Sequence, residues 1–504
     1  MKPRFPSRVQ DPGGLSRRGF LAGLALAPRA RAEGLTVGLQ DTAGLSVDGP
    51  HRFVAVGGWT GFQPTSLHTR AEIQTGLHRA PRGTLSLWFS PLEDLTFSPS
   101  NQSQSQVPFK FPFLTDFHPG REVQRMKFGI FFTNTYPELV AKFAAGEVFP
   151  TLDHQLAPFV YVEAVRLRQG SWYHLALTWD RAARRLAIYL NGMLAGLNLQ
   201  AEDFEEAAPL LYVGNPMMLL RELRIEDREA RADEIAAQYR AGQPAANEET
   251  DADLRRLLEP AFGAPLDLRR DASWTPAFER AFTRPGDLDG WLRQGPSEKY
   301  MHDFRMEITS EGLYLKTPAQ IENETRMYLW SPANFEGDQW IEFDFRLESP
   351  KGLALLVLCA SGMQREDYIT DHGLPANGGM GFILRDLRNY HWEFVRRVEA
   401  MRPDVETQYL AKNPFGRRLH CGAIPRLEEG RWVRLRMIKA GPRLHGSMDG
   451  RTVFDVTDSP FDNNGPVYNF GRIAFRQMYH TALRYRNLTV FQRPQNRSAA
   501  GARK

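Results

Sequence analysis

The stretch Gly170-Ser-Trp-Tyr-His-Leu-Ala-Leu-Thr-Trp-Asp180, continuing through Arg185-Leu-Ala-Ile-Tyr-Leu-Asn-Gly-Met-Leu-Ala195, decides the fold of this chain. Tyr173, Leu175, Leu177 and Trp179 alternate with His174, Ala176 and Thr178, a period of two that marks a strand with one buried face. Leu186, Ile188 and Leu190 repeat the pattern, and Asn191-Gly192 supplies the positive φ angles of a type I′ hairpin. The stretch predicts two strands joined by a turn, then a tight hairpin into a third. The design returns at Gly430-Arg-Trp-Val-Arg-Leu-Arg-Met-Ile-Lys439, followed by Arg443-Leu-His-Gly-Ser-Met448 and an Asp449-Gly450 turn. Two diverged copies of one β-module are implied.

Gly170, Trp172 and Leu175 in the first copy, and Gly430, Trp432 and Leu435 in the second, form a Gly-x-Trp-x-x-Leu strand ahead of an Asn-Gly or Asp-Gly hairpin. This pattern resembles the concanavalin-like superfamily of lectins, laminin-G domains and glucanases. The resemblance implies an all-β chain of two concanavalin-like (laminin-G-like) jelly-roll sandwiches in tandem. It specifies no activity.

Bulk properties set outer bounds. A chain of 504 residues exceeds one typical core and predicts two or three domains. The net charge of +4 is small for this size and the basic residues form no tail, which argues against a general nucleic-acid binder. Two cysteines, Cys359 and Cys421, exclude a disulfide scaffold and a Cys-rich zinc site. They can pair if the protein is exported and the geometry permits. Cys359 also ends the apolar run Leu353–Cys359, where it reads as an inert core thiol.

The N-terminus carries Ser16-Arg17-Arg18-Gly19-Phe20-Leu21, the weakly apolar Ala22–Ala27 and the small-x-small site Ala30-Arg31-Ala32. Paired arginines, a short apolar core and a cleavage site in this order resemble a twin-arginine export signal. The resemblance implies passage through the twin-arginine export machinery, cleavage after Ala32, and a periplasmic or secreted protein. The apolar core is too short to span a bilayer, and no later run is apolar enough, so the expected mature protein is not membrane-embedded.

The predicted boundaries are a signal peptide over 1–32, a first jelly roll over 34–240, a linker over 241–271, a second jelly roll over 272–492 and a disordered tail over 493–504. Strands are expected at Gly83–Ser90, Leu210–Gly214 and Leu219–Ile225, then a short helix over Asp227–Tyr239. The linker opens polar and acidic, with a short helix near Leu254–Leu258. In the second module, Gln339–Arg346, Leu353–Ala360, Gly381–Arg385, Tyr390–Arg397, Gly471–Met478 and Leu483–Phe491 read as strands.

Phe278-x-x-x-Phe282, Asp287-Leu-Asp-Gly-Trp291, Tyr390-His-Trp-Glu-Phe394 with Arg396-Arg397, Lys412-Asn413-Pro414 and Gly471-x-Ile-x-Phe-Arg-Gln-Met478 together resemble the YesU-like bacterial family, a domain of unknown function with a concanavalin-like fold. The resemblance covers most of residues 275–492. It implies a carbohydrate ligand and polysaccharide degradation as the setting, without a catalytic assignment to carry across.

Candidate chemistry gathers in this second module. On Tyr390–Arg397, strict alternation puts His391, Glu393 and Arg397 on one face and Tyr390, Trp392, Phe394 and Arg396 on the other. A His beside a carboxylate suits general base chemistry, and Tyr390 or His391 is a candidate to take a proton. Arg434 with Arg436, and Arg472 with Arg476, each share a strand face. If these faces meet on a concave sheet they form a basic groove for uronate carboxylates, with Lys412 in a gating loop over Lys412–Arg418. The alternative is a polar, solvated sheet face rich in arginine. A hydrolase acting on a neutral sugar needs two flanking carboxylates, and only Glu393 is evident. A lyase or glycoside hydrolase and a non-catalytic carbohydrate-binding or adhesion protein are the two readings. No cofactor is expected. Calcium is the one ion that the turns Asp371-His372-Gly373 and Asp462-Asn463-Asn464-Gly465 can hold.

Overall fold

The computed structural model describes residues 34–493, apart from 67, 96–111, 113, 118–124, 133–137, 146–156, 163–164, 245–246, 266–269, 321–322, 398–401, 415 and 460–464. The export signal, the Asp462–Asn464 turn and the tail beyond Arg493 lie outside these residues. The opening stretch forms the strands Tyr173–Asp180, Arg185–Leu190 and Met193–Asn198, paired antiparallel in sequence order. Asn191 and Gly192 take φ of 47° and 76°, and Asp449 and Gly450 take 48° and 76° in the second copy. Both hairpins therefore turn as their residues require.

Among the described residues the strands make four sheets, of eight, seven, eight and eight strands. Two sheets stack in each half. The first core draws on residues from Val37 to Leu258 and the second on residues from Phe282 to Val490, with no residue in common. The all-β tandem sandwich is thus the architecture.

Four elements differ from expectation. The helix after the first module is Ala232–Gly242, and the linker holds a full second helix, Glu248–Leu258. Glu248, Glu249 and Asp251 sit in its first turn and Arg255 and Arg256 in its last, matching the helix dipole. Leu254, Leu257 and Leu258 bury into the first core, so this part of the linker is structural. Gly381–Arg385 does not form a strand. Phe382–Asp386 is a helical turn that lays Phe382 and Ile383 on the outer face of a sheet, against Trp330, Leu355 and Val357. Lys412 is not in a loop either, because Val405–Asn413 and Arg417–Pro425 are paired strands and only a short turn separates them. Cys359 and Cys421 are not disulfide-bonded to each other. Cys359 is fully buried in the second core, whereas Cys421 packs against the first, so no bond joins them.

Candidate functional site

The second sandwich has a front sheet that runs, strand by strand, Leu292–Gln294, Met327–Trp330, Phe470–Met478, Gly352–Ser361, Arg388–Arg397, Val405–Asn413 and Arg417–Pro425. Residues of one parity point into the core. The other parity faces outward, partly beneath the 362–387 segment, whose Ile369, Phe382 and Ile383 pack on Tyr328, Trp330, Leu355 and Val357.

The nine candidate residues do not form one groove. His391, Glu393, Arg472 and Arg476 lie on the outer face of the front sheet. Tyr390 and Lys412 have the opposite parity and point into the sandwich. The Tyr390 hydroxyl donates to Asp458 Oδ2 at 2.6 Å, and Lys412 Nζ donates to the same oxygen at 2.7 Å. Burial, reinforced by Asp458, drives the Tyr390 phenol far above its ordinary range, so it cannot serve as a base near neutral pH. Arg434 and Arg436 belong to the other sheet, on Trp432–Ala440, and face away from the core. There Arg436 Nε donates to Glu342 at 2.7 Å and Arg434 is paired with Asp344. They are a full sandwich thickness from the front face.

A bulge explains one exchange. Ala354 pairs with Val395 and Leu355 with Glu393, which leaves Phe394 as an extra residue. Phe394 and Val395 both turn into the core, so parity flips after them. Arg396, not Arg397, joins Glu393 on the outer face and pairs with it. Arg397 turns inward to Glu406 at 2.9 Å. Arg472 clasps the covering segment, donating to both oxygens of Asp367 at 2.9 and 2.7 Å. Burial favours the neutral acid there, yet the bonds from Arg472 hold the Asp367 carboxyl far below its usual range.

The outer face carries an ordered polar chain. Asn413 Nδ2 donates to Asn389 Oδ1 at 2.7 Å, and Asn413 Oδ1 accepts from Gly416 N at 2.9 Å, which fixes the amide orientation. The same Nδ2 therefore donates to His391 Nδ1 at 2.8 Å. That places the proton of the neutral ring on Nε2, which lies 3.7 Å from Glu393 Oε1. Burial pushes the Glu393 carboxyl up, but Arg396 and His391 outweigh it and bring it down to about 2. Glu393 is therefore a carboxylate anchor and a poor proton acceptor. Tyr409 completes this end, with the Arg396 and Arg418 guanidinia 4.8 and 5.1 Å from its ring centroid.

The other end of the row is different in charge. Tyr328, Arg476, Leu355, Glu393 and Tyr409 lie opposite one another across five strands. Arg476 is fully buried, with its guanidinium 5.1 Å from the Tyr328 ring centroid. It donates to Gly378 O at 3.2 Å and contacts Met478 Sδ at 2.6 Å, while Nε has no hydrogen-bond partner. Arg326 stands beside it, bonded to the Tyr479 hydroxyl. Burial and the Arg476 charge both pull the Arg326 guanidinium below its ordinary value. Among the described residues neither arginine has a carboxylate partner. Gly378 lies so close to the Arg326 backbone that an added Cβ would meet its carbonyl oxygen at 2.2 Å. Sequence reasoning missed Arg326, although Arg326, Tyr328 and Trp330 alternate with the core residues Met327 and Leu329.

Among the described residues no group of three or more His, Cys, Asp or Glu side chains is placed to hold a metal ion. Asp371 and His372 end the short helix Tyr368–His372, and Gly373 follows with φ of 77°.

One comparison with known proteins falls on this half of the chain. Residues 277–490 match a domain of unknown function, DUF1961. The uncharacterized protein YesU of Bacillus subtilis (strain 168) is 24% identical over 211 residues, which is 41% of this chain and 90% of that protein. A Bacillus subtilis protein of unknown function with a galectin-like fold is 23% identical, covering 44% of this chain and 98% of its own, at a TM-score of 0.38. The carbohydrate binding module CBM66 of Bacillus subtilis is 14% identical, covering 40% of this chain and 94% of its own, at a TM-score of 0.26. The second sandwich is thus similar to the YesU-like domain of unknown function over residues 277–490.

Proposed function

We propose that the second sandwich binds an acidic carbohydrate and grips its carboxylate with Arg326 and Arg476. One observation carries this reading. Two neighbouring guanidinia, one fully buried, lack a carboxylate partner among the described residues. A buried, uncompensated cation is costly, and a ligand carboxylate would supply the missing counter-charge. The planar guanidinium matches a carboxylate with two parallel hydrogen bonds. Tyr328 beside Arg476, and Glu393 with Tyr409 beyond the covered Leu355, add a hydroxyl-bearing ring and a polar group on either side.

The geometry favours binding over turnover. His391 has one ring nitrogen capped by Asn413 and the other facing Glu393, Glu393 is a weak base, and Tyr390 lies on the wrong side of the sheet. The export reading belongs to the same proposal. Replacing both Arg17 and Arg18 with Lys should hold the precursor in the cytoplasm, and normal export would remove the twin-arginine assignment.

Calorimetric titration of the full chain with oligogalacturonate, oligoglucuronate and neutral cello- and malto-oligosaccharides tests the reading. Acidic ligands should bind, and Arg476→Met should weaken them by at least about tenfold, or ~1.4 kcal/mol. Equal binding of neutral ligands, or full binding by a natively folded Arg476→Met, would refute it. Unsaturated products or new reducing ends would replace the binding reading with a catalytic one.

A further inference from the structure

The first sandwich holds a different kind of site, independent of the arginine pair. A cavity of about 660 Å³ opens between its sheet and the helix Ala232–Gly242. That volume lies within the range of small-ligand pockets, about 300–1,000 Å³. Trp59 and Trp88 form an aromatic corner, with ring centroids 4.9 Å apart and planes at 87°. The His174 ring lies 5.1 Å from Trp88 and stacks on Tyr239 at 6.2 Å.

His174 points to a ligand. It lines the cavity, is only 3% exposed, and its Nδ1 has no hydrogen-bond partner. Burial and the nearby Arg224 charge lower its pKa to about 4, so the ring is neutral at physiological pH and can donate or accept. A second polar atom in the wall, Gln238 Oε1, is also buried without a partner.

The remaining polar groups are charge-balanced. Two arginines and two carboxylates line the cavity: Arg221, Glu222 and Arg224 on the strand Met218–Glu226, and Glu234 on the helix, where it also bonds Arg228 and Arg231. Arg221 spreads over the Trp59 ring at 4.7 Å, and Arg224 is paired with Glu222 at 2.6 Å. The strand Met218–Glu226 shifts register between Arg221 and Leu223, and Glu222 takes φ of 48°. The bulge re-aims these side chains.

We infer that this cavity binds a neutral sugar residue. An indole face suits the C–H face of a pyranose, and a sugar seated on Trp59 would take the place of Arg221. The walls mix donors with acceptors, as a ring of hydroxyls requires, and the balanced charge favours an uncharged ligand over a phosphate or a uronate.

The test titrates the full chain with gluco-, galacto-, manno- and xylo-oligosaccharides to millimolar concentration, following tryptophan fluorescence. At least one should bind. Trp59→Ala and Gln238→Ala should each weaken it, the former by roughly fivefold to tenfold. Gln238 is half-buried on a helix, so its variant tests the site even if Trp59→Ala fails to fold. Arg476→Met should leave this binding unchanged, which separates the two sites. No neutral ligand binding, or binding that survives Gln238→Ala and a folded Trp59→Ala, or binding lost in Arg476→Met, would overturn the inference.

Discussion

The two sandwiches repeat one strand design but cover an outer sheet face differently. In the first, the helix Ala232–Gly242 crosses the face and leaves an open, charge-balanced cavity floored by Trp88 and His174. In the second, the 362–387 segment lies directly on the sheet and packs its own apolar residues there. His391, Glu393 and Arg476 beside that cover are buried, and Arg476 and its half-buried neighbour Arg326 lack a carboxylate counter-charge among the described residues. The same contrast appears in how each half buries an aspartate. Asp251 accepts from the Tyr239 hydroxyl at 2.7 Å and from Asn191 Nδ2 at 2.8 Å, both neutral groups. Asp458 accepts from Tyr390 and from the Lys412 ammonium. Core design is shared, whereas electrostatics is set by what each module adds to it.

The aspartate pair gives the largest expected effect. Asp458→Ala strands the Lys412 cation in the interior and should cost about 3–5 kcal/mol. Asp251→Ala leaves only neutral donors unpaired and should cost about 1–3 kcal/mol. Urea titrations of both variants measure the difference, and equal losses would erase the distinction drawn between the halves.

Acid should weaken both sandwiches. His78 and His174 in the first, and His420 and His445 in the second, each have their pKa lowered to about 4, chiefly by burial. Above about pH 6.5 these rings are neutral whether folded or unfolded. Between 6.5 and 4 the unfolded chain takes up protons that the folded chain refuses, so stability falls with pH through that window and the loss levels off below about 4. A drop of at least about 2 kcal/mol from pH 7 to pH 4.5 is expected in denaturant titrations. A flat profile would mean that these rings are hydrated in solution.

The smallest effect is the most diagnostic. Arg476→Met should raise the stability of the ligand-free protein by about 1 kcal/mol while weakening acidic-ligand binding by at least about tenfold. A loss of stability instead would make Arg476 a structural residue. The open cavity of the first sandwich would then be the better candidate site of the two.

Local pattern carried the architecture. Strand alternation and the Asn191-Gly192 and Asp449-Gly450 turns depend on neighbours in sequence, so they are readable without a structure. The same parity rule misplaced Arg396 and Arg397, because one extra residue at Phe394 shifts every side chain after it to the other face. The apolar Gly381–Arg385 looks like a strand, yet its hydrophobic residues serve an existing sheet as a cover. The sequence determined which residues alternate and where the chain turns. Only the tertiary structure decided that Arg434 and Arg436 face away from His391, and that Arg326 stands beside Arg476. Those relations come from pairing strands distant in the sequence, and no local period encodes which face a distant strand will share.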